Sequence, residues 1–234
     1  MPDDVDDPGV RIGSIDERHL LLVGAGPGLG QAVARRFAEG GYRVTLLARN
    51  AERLGELADG LADTGADIDT IAADASDPER LGARIRDLYT RQGAPGVIVY
   101  SAVMGAPDRL LSSTVADLQT AYAVDVIGAV VAVQSAVPSM RAARSGTILF
   151  TGGGFADYPV PALATISLGK AALRSAATML HSDLEPDGIR VASLTIGGQI
   201  AEGTAFDPKR IAERYWEIVQ LDGDWQAEFR FTGE

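Results

Sequence analysis

The chain has 234 residues, 46% hydrophobic and 23% charged, with no cysteine, two histidines and a formal net charge of −11. That length and balance suit one globular α/β domain with its own core, and they exclude disulfides, thiolate chemistry and a Cys/His zinc site. The acidity reads as solubility and disfavours a phosphate-backbone partner, so nucleic acid is not expected.

Residues 1–18 (MPDDVDDPGVRIGSIDER) are acidic and carry no apolar stretch of the signal-peptide kind. They are expected to form a flexible arm ahead of a single domain over 19–234. Short β-rich runs then alternate with longer runs of helical period. HLLLVG (19–24) leads through a glycine-rich turn into a helix ending near Glu39, and YRVTLLA (42–48) into a second. ADIDTIAA (66–73) precedes a third helix opened by Asp77-Pro78, and GVIVYSA (96–102) precedes the long segment 112–140. GTILFTG (146–152) leads to the helix that holds ISLGK. IRVASLTI (189–196) is followed by Asp207-Pro208, an N-cap and first-turn pair for a last helix, and DWQAEFRF (224–231) reads as an edge strand. This alternation predicts a doubly wound, Rossmann-type parallel sheet in the order 3-2-1-4-5-6-7 with helices on both faces. The apolar runs are short and lie among polar residues, so no membrane span and a cytoplasmic location are expected.

LLLVGAGPGLGQAVARRFAEGG, at the first crossover, places glycines at 24, 26, 28 and 30. G-x-G-x-x-G fits no frame, whereas G-x-x-x-G-x-G fits Gly24, Gly28 and Gly30. Glycines here allow a tight turn and let backbone approach a pyrophosphate resting on the next helix's N-terminus. The alternative is a tight turn with no ligand.

With these motifs the chain resembles the short-chain dehydrogenase/reductase family over roughly residues 19–197. The family's T-G-x-x-x-G-x-G is met with Val23 in place of threonine. AAD at 72–74 resembles the third-strand Asp that meets adenine, and VIVYSAV resembles N-N-A-G with Ala102 kept. YAVDVIG resembles V-N-x-x-G with Asp125 in the asparagine's place. The resemblance implies cofactor contacts at Gly24, Gly28, Leu29, Gly30, Arg49, Asp74, Ala75, Ala102, Lys170 and Gly197. The second strand ends in LLARN without a carboxylate, so Arg49 favours the 2′-phosphate of NADP(H) over the free ribose of NAD(H). An ordinary surface arginine is the alternative.

The same resemblance implies a Tyr-x-x-x-Lys pair, a serine and an asparagine as the catalytic set. The lysine maps to Lys170, the tyrosine to Ile166, the serine to Gly153 and the asparagine to Asp125. Isoleucine donates no proton and glycine offers no hydroxyl, so the usual carbonyl reduction needs other groups. Tyr158 is the foremost substitute donor, with Thr151, Thr165 and Ser167 behind it. Asp125 is expected to bridge water or to act as an acid or base through a raised pKa. His19 and His181 are read as structural. About nine positions separate Gly198 from Asp207, so the segment that closes over substrate in the family is short here. The small apolar faces of 112–140 and 161–185 resemble those that pair subunits, implying a homodimer or homotetramer. Three activities stand open: an NADP(H)-dependent oxidoreductase acting on a small-molecule carbonyl or activated double bond with a non-standard proton donor; an NADP(H)-binding protein without turnover, serving as a sensor or assembly partner; and an isomerase or cyclase using the same pocket.

Overall fold

In β1 (Ile15–Val23), alternate residues commit to opposite faces, with Leu20 and Leu22 on one side and Leu21 and Val23 on the other, all fully buried. A strand buried on both faces needs covering helices on both. A computed structural model describes residues 14–223 and 225–234 and shows them. Seven parallel strands follow the order β3-β2-β1-β4-β5-β6-β7, as the alternation predicted. They are β1, β2 (Arg43–Ala48), β3 (Ile68–Ala72), β4 (Ala94–Tyr100), β5 (Thr147–Gly153), β6 (Arg190–Ile196) and β7 (Glu228–Phe231).

Helices α1 (Leu29–Glu39), α2 (Ala51–Asp59) and α7 (Pro208–Val219) cover one face through Val33, Phe37, Leu54, Leu57, Ile211 and Tyr215. The other face lies under α3 (Pro78–Gln92), α5 (Gly128–Ala143) and α6 (Ala164–Leu184), which bury Leu81, Ile85, Ala132, Met140 and Leu173. Caps act where the sequence placed them. Asn50 accepts from the Arg53 amide, Asp77 from Arg80 and Asp207 from Lys209, each satisfying a first-turn donor.

Two expectations are corrected. The first strand begins at Ile15 rather than His19, so four residues assigned to the arm belong to the sheet. Ile15 and Asp16 pair with Ala94 and Pro95, after which the register shifts before Leu20. The polar IDER run hid this extension. The rest of the expected arm, residues 1–13, lies outside the described residues. The second correction concerns length. Helix α4 (Val115–Tyr122), a π-helical turn (Ala123–Ile127) and α5 form one 29-residue helical segment, Val115–Ala143. It is long and apolar enough, at a mean hydropathy of 1.6, to cross a membrane by length and composition alone. Half of its most apolar window is buried inside the protein, where Ala129, Ala132, Val133, Ala136 and Met140 meet the sheet.

Candidate functional site

Strand order reverses between β1 and β4, and their carboxyl ends open a crevice where such sheets take ligands. Gly24 follows β1 at φ +88°; a Cβ there would collide with the backbone of Ser101 and Ala102 after β4. The two loops therefore touch, and this position requires glycine. Gly28, at φ +85°, is the N-cap of α1. Added Cβ atoms at Gly26 and Gly28 would meet nothing within 4 Å, and α1 begins with no side-chain cap. Uncapped amides behind open glycine backbone form a cradle for an anion. The residues present therefore fit a dinucleotide pyrophosphate.

A cleft of about 400 Å³ continues from this loop, lined by Gly24, Arg49, Asp74, Ala75, Ala102 and Met104, among others. Arg49 is exposed at the end of β2. Asp74 accepts from the Ser76 amide at 2.9 Å. That bond, helped by the Ser76 hydroxyl and the charge of Arg49, holds its carboxyl below the usual range. Gly197 follows β6, its amide bonded to the Phe231 carbonyl at 2.9 Å. Leu29 and Gly30 open α1 beside this loop.

The mapped catalytic positions meet on α6. Lys170 donates to the Thr151 carbonyl at 2.6 Å, drawing its ammonium to the end of β5. Burial lowers its pKa to about 8, against the charge of Asp125, which raises it. Ile166, one turn earlier, is partly buried. An ideal Cβ at Gly153 would lie 3.7–3.8 Å from three Lys170 side-chain carbons, an ordinary contact. Position 153 thus faces the lysine, as the mapped serine would, and carries no hydroxyl.

Asp125 sits in the π turn at 4% exposure. Its Oδ1 accepts from the Met104 amide at 2.7 Å, tying the turn to the loop after β4. Its Oδ2 is buried without a partner among the described residues. The carboxyl is pressed against Gly169, where a Cβ would fall 2.6 Å from Oδ2. Burial raises its pKa to about 6, opposed by the Met104 amide and by Lys170.

The substitute donors are placed otherwise. Thr151 shares a hydrogen bond with the Tyr215 hydroxyl at 2.7 Å in the interior. It therefore turns toward α7 rather than toward Lys170, which takes only its carbonyl. Ser167 donates to the Leu163 carbonyl and accepts from the Val160 amide. Thr165 is buried and engaged by Asp108. Tyr158 is 80% exposed on the loop between β5 and α6. His19, buried on Thr45, and His181, against the Val191 carbonyl, have structural partners.

Sequence reasoning missed two positioning residues. Tyr100, at the end of β4, donates to the Val124 carbonyl at 2.5 Å, pinning the π turn from beneath. Asp108 caps α6 by accepting from the Ala164 and Thr165 amides at 2.6 and 3.1 Å. Neither partner is close in sequence, so no local signal pointed to them.

The short chain dehydrogenase family profile matches residues 18–207. An uncharacterised oxidoreductase of Staphylococcus epidermidis is 24% identical over 202 residues, covering 85% of this chain and 86% of that protein. Sulfoacetaldehyde reductase 2 of Chromohalobacter salexigens is 27% identical, covering 89% of this chain and 78% of the other. A metagenomic short-chain oxidoreductase, crystallised in complex with NADP, superposes with a TM-score of 0.84 at 26% identity, over 92% of this chain and 97% of that one.

Proposed function

Since the chain belongs to the short-chain dehydrogenase family, a family that binds nicotinamide cofactors, we propose that it is an NADP(H)-dependent oxidoreductase acting on a carbonyl or activated double bond of a small molecule. The observation that carries this reading is the open glycine cradle and uncapped α1, with Arg49 lining the cleft that continues from that loop. The similar NADP complex supports the cofactor choice. So does the end of β2, where Arg49 stands and no carboxylate would repel a 2′-phosphate.

In this reading Gly24, Gly28, Leu29 and Gly30 hold the pyrophosphate, Arg49 the 2′-phosphate, and Asp74 with Ala75 the adenine. Ala102 and Gly197 flank the rest of the cofactor, and Lys170 binds the nicotinamide ribose. The bound cofactor supplies or accepts hydride. Asp125 holds Met104, and so keeps the loop after β4 in place beside the cleft.

Equilibrium titration with NADPH and NADH tests the cofactor. NADPH is expected to bind at least about tenfold more tightly, a difference that one bidentate guanidinium–phosphate contact supplies. Arg49→Ala should weaken NADPH alone, and equal dissociation constants in the native protein would sink the preference. A panel of aldehydes, ketones and enones then tests turnover. The loss of functional groups at Ile166 and Gly153 favours a second reading, NADP(H) binding without turnover. Tight NADPH binding with no oxidation across the panel selects it.

A further inference from the structure

We infer that Lys170 is itself the proton-transfer group of this site, its ammonium held by the Thr151 carbonyl, with the buried Asp125 carboxyl packed against α6 as the nearby counter-charge. The inference rests on the oxidoreductase reading above and names what that reading leaves open, the source of the proton. Among the described residues, the candidate donor hydroxyls of β4, β5 and α6 named above are absent, committed or turned away. Ile166 and Gly153 carry none. Thr151 is bonded to Tyr215, Ser167 to Leu163, and Tyr100 to Val124. Tyr158 projects into solvent. Lys170 Nζ has three donors, and one is spent on the Thr151 carbonyl. Because position 153 has no side chain, the Lys170 methylenes lack the contact that a Cβ there would make.

Composition adds a separate argument. Of the chain's 21 basic residues, 19 are arginine, and the lysines are Lys170 and Lys209 alone. A guanidinium would hold ribose hydroxyls as well as an ammonium, but it releases no proton near neutral pH. A site that needed only positive charge would be served by arginine, the residue at 19 of the other 20 basic positions.

The charged neighbours leave Asp125 as the group that acts on Lys170. Arg174, one turn onward on α6, is paired with Asp157 of the β5–α6 loop and Glu228 of β7. From β5 and β6 the side chains nearest this end are Thr151, Gly153, Thr195 and Ile196, none of them charged. Asp108, which caps α6, bears on Asp125. In the reducing direction the substrate carbon receives the electron pair as hydride from the reduced nicotinamide cofactor. An N–H bond of the Lys170 ammonium breaks as an O–H bond forms on the substrate oxygen. The resulting amine regains its proton from solvent. An ammonium that titrates near pH 8 is a better acid for this than an ordinary lysine.

Competitive acylation across pH, read by peptide mass spectrometry, tests the acid without any substrate. Exposed Lys209 serves as the reference. Lys170 is expected to reach half-maximal reactivity near pH 8, and Asp125→Asn should move that midpoint down. A midpoint at the ordinary lysine value overturns the inference and leaves the oxidoreductase reading standing. Lys170→Arg supplies the second arm. It should bind NADPH within about threefold of the native protein, yet lose about 10²-fold or more in turnover, the typical share of one positioned acid. Native-like turnover in Lys170→Arg overturns the inference. A native protein that binds NADPH but turns over nothing on the panel instead overturns the redox reading, and the inference with it.

Discussion

Asp125 shows how one residue's surroundings set its chemistry. A carboxyl with one bonded oxygen and one buried, unpartnered oxygen is cheaper to keep neutral than charged, so its pKa rises to about 6. The sign follows from linkage. A carboxyl raised above its unfolded value disfavours the folded state once ionised, so this penalty grows from pH 4 to 6 and is constant above. Asp125→Asn removes it. The variant should therefore be more stable than the native protein at pH 7.5 by on the order of 2 kcal/mol, with the gain shrinking toward pH 4.5. Urea unfolding at the two pH values measures this, and an equal difference at both would rule out a buried titration. Across the packing contact, Gly169 lets the α6 backbone reach that carboxyl. Gly169→Ala should cost about 1–3 kcal/mol through overpacking against Asp125, read in the same assay. The positions without functional groups yield a complementary test. Gly153 is in extended backbone with room for a side chain, and Ile166 is one turn from Lys170. Ile166→Tyr with Gly153→Ser should raise carbonyl turnover by about 10²-fold or more over the native chain, from an added acid and an added oxyanion donor. Steady-state kinetics on the aldehyde panel decide it.

At the scale of elements, the π turn between α4 and α5 is the hinge of the site's architecture. A π turn re-aims the carbonyls around it, and Tyr100 satisfies that of Val124 while Asp125 reaches the Met104 amide. Tyr100→Phe would leave that carbonyl short of its donor. The expected loss is about 1–3 kcal/mol of stability, measured by chemical denaturation, and a smaller loss would mean that another donor reaches Val124. This element also marks how far sequence reasoning reached. The strands, the capped helices and the glycine loop were legible because their signals are local: alternation of two, helical period, Asp-Pro at a helix start, glycine at positive φ. The residues proposed to hold the cofactor could be named for the same reason. The acid–lysine half was legible only as positions, because its arrangement comes from long-range packing. Asp108 caps a helix that begins 56 residues later, and Tyr100 meets a carbonyl 24 residues away. The first four residues of β1 were missed since their pairing with β4 leaves no apolar alternation behind.

Across the whole molecule, the surface divides unevenly. Ion pairs lie beside α1 and α7, where Arg35 meets Asp63 and Arg36 meets Glu213, and between the β5–α6 loop, α6 and β7, where Asp157 meets Arg174 and Arg230. The face formed by α4 and α6 is instead apolar, with a groove of about 560 Å³ lined by Leu110, Val115, Leu118, Tyr122, Ile127 and Leu168, among others. Several of these are exposed, Leu168 at 52% and Val115 at 71%. Contiguous apolar exposure of this kind marks an interface on soluble folds. The segments expected from sequence to pair subunits, 112–140 and 161–185, include α4 and α6, so a second copy is the occupant we propose. Light scattering should give a mass at least twice the 24.5 kDa of one chain. Leu168→Glu together with Tyr122→Glu should return it to a single chain, because charges in a desolvated interface are strongly unfavourable. Asp125, Thr165 and Gly169 also line this groove. A partner seated there would shield the Asp125 carboxyl further from water, so the monomeric variant should show a weaker pH dependence of stability than the assembled protein. A native mass of 24.5 kDa at micromolar concentration would exclude this interface, and with it any contribution of a partner to the burial of Asp125.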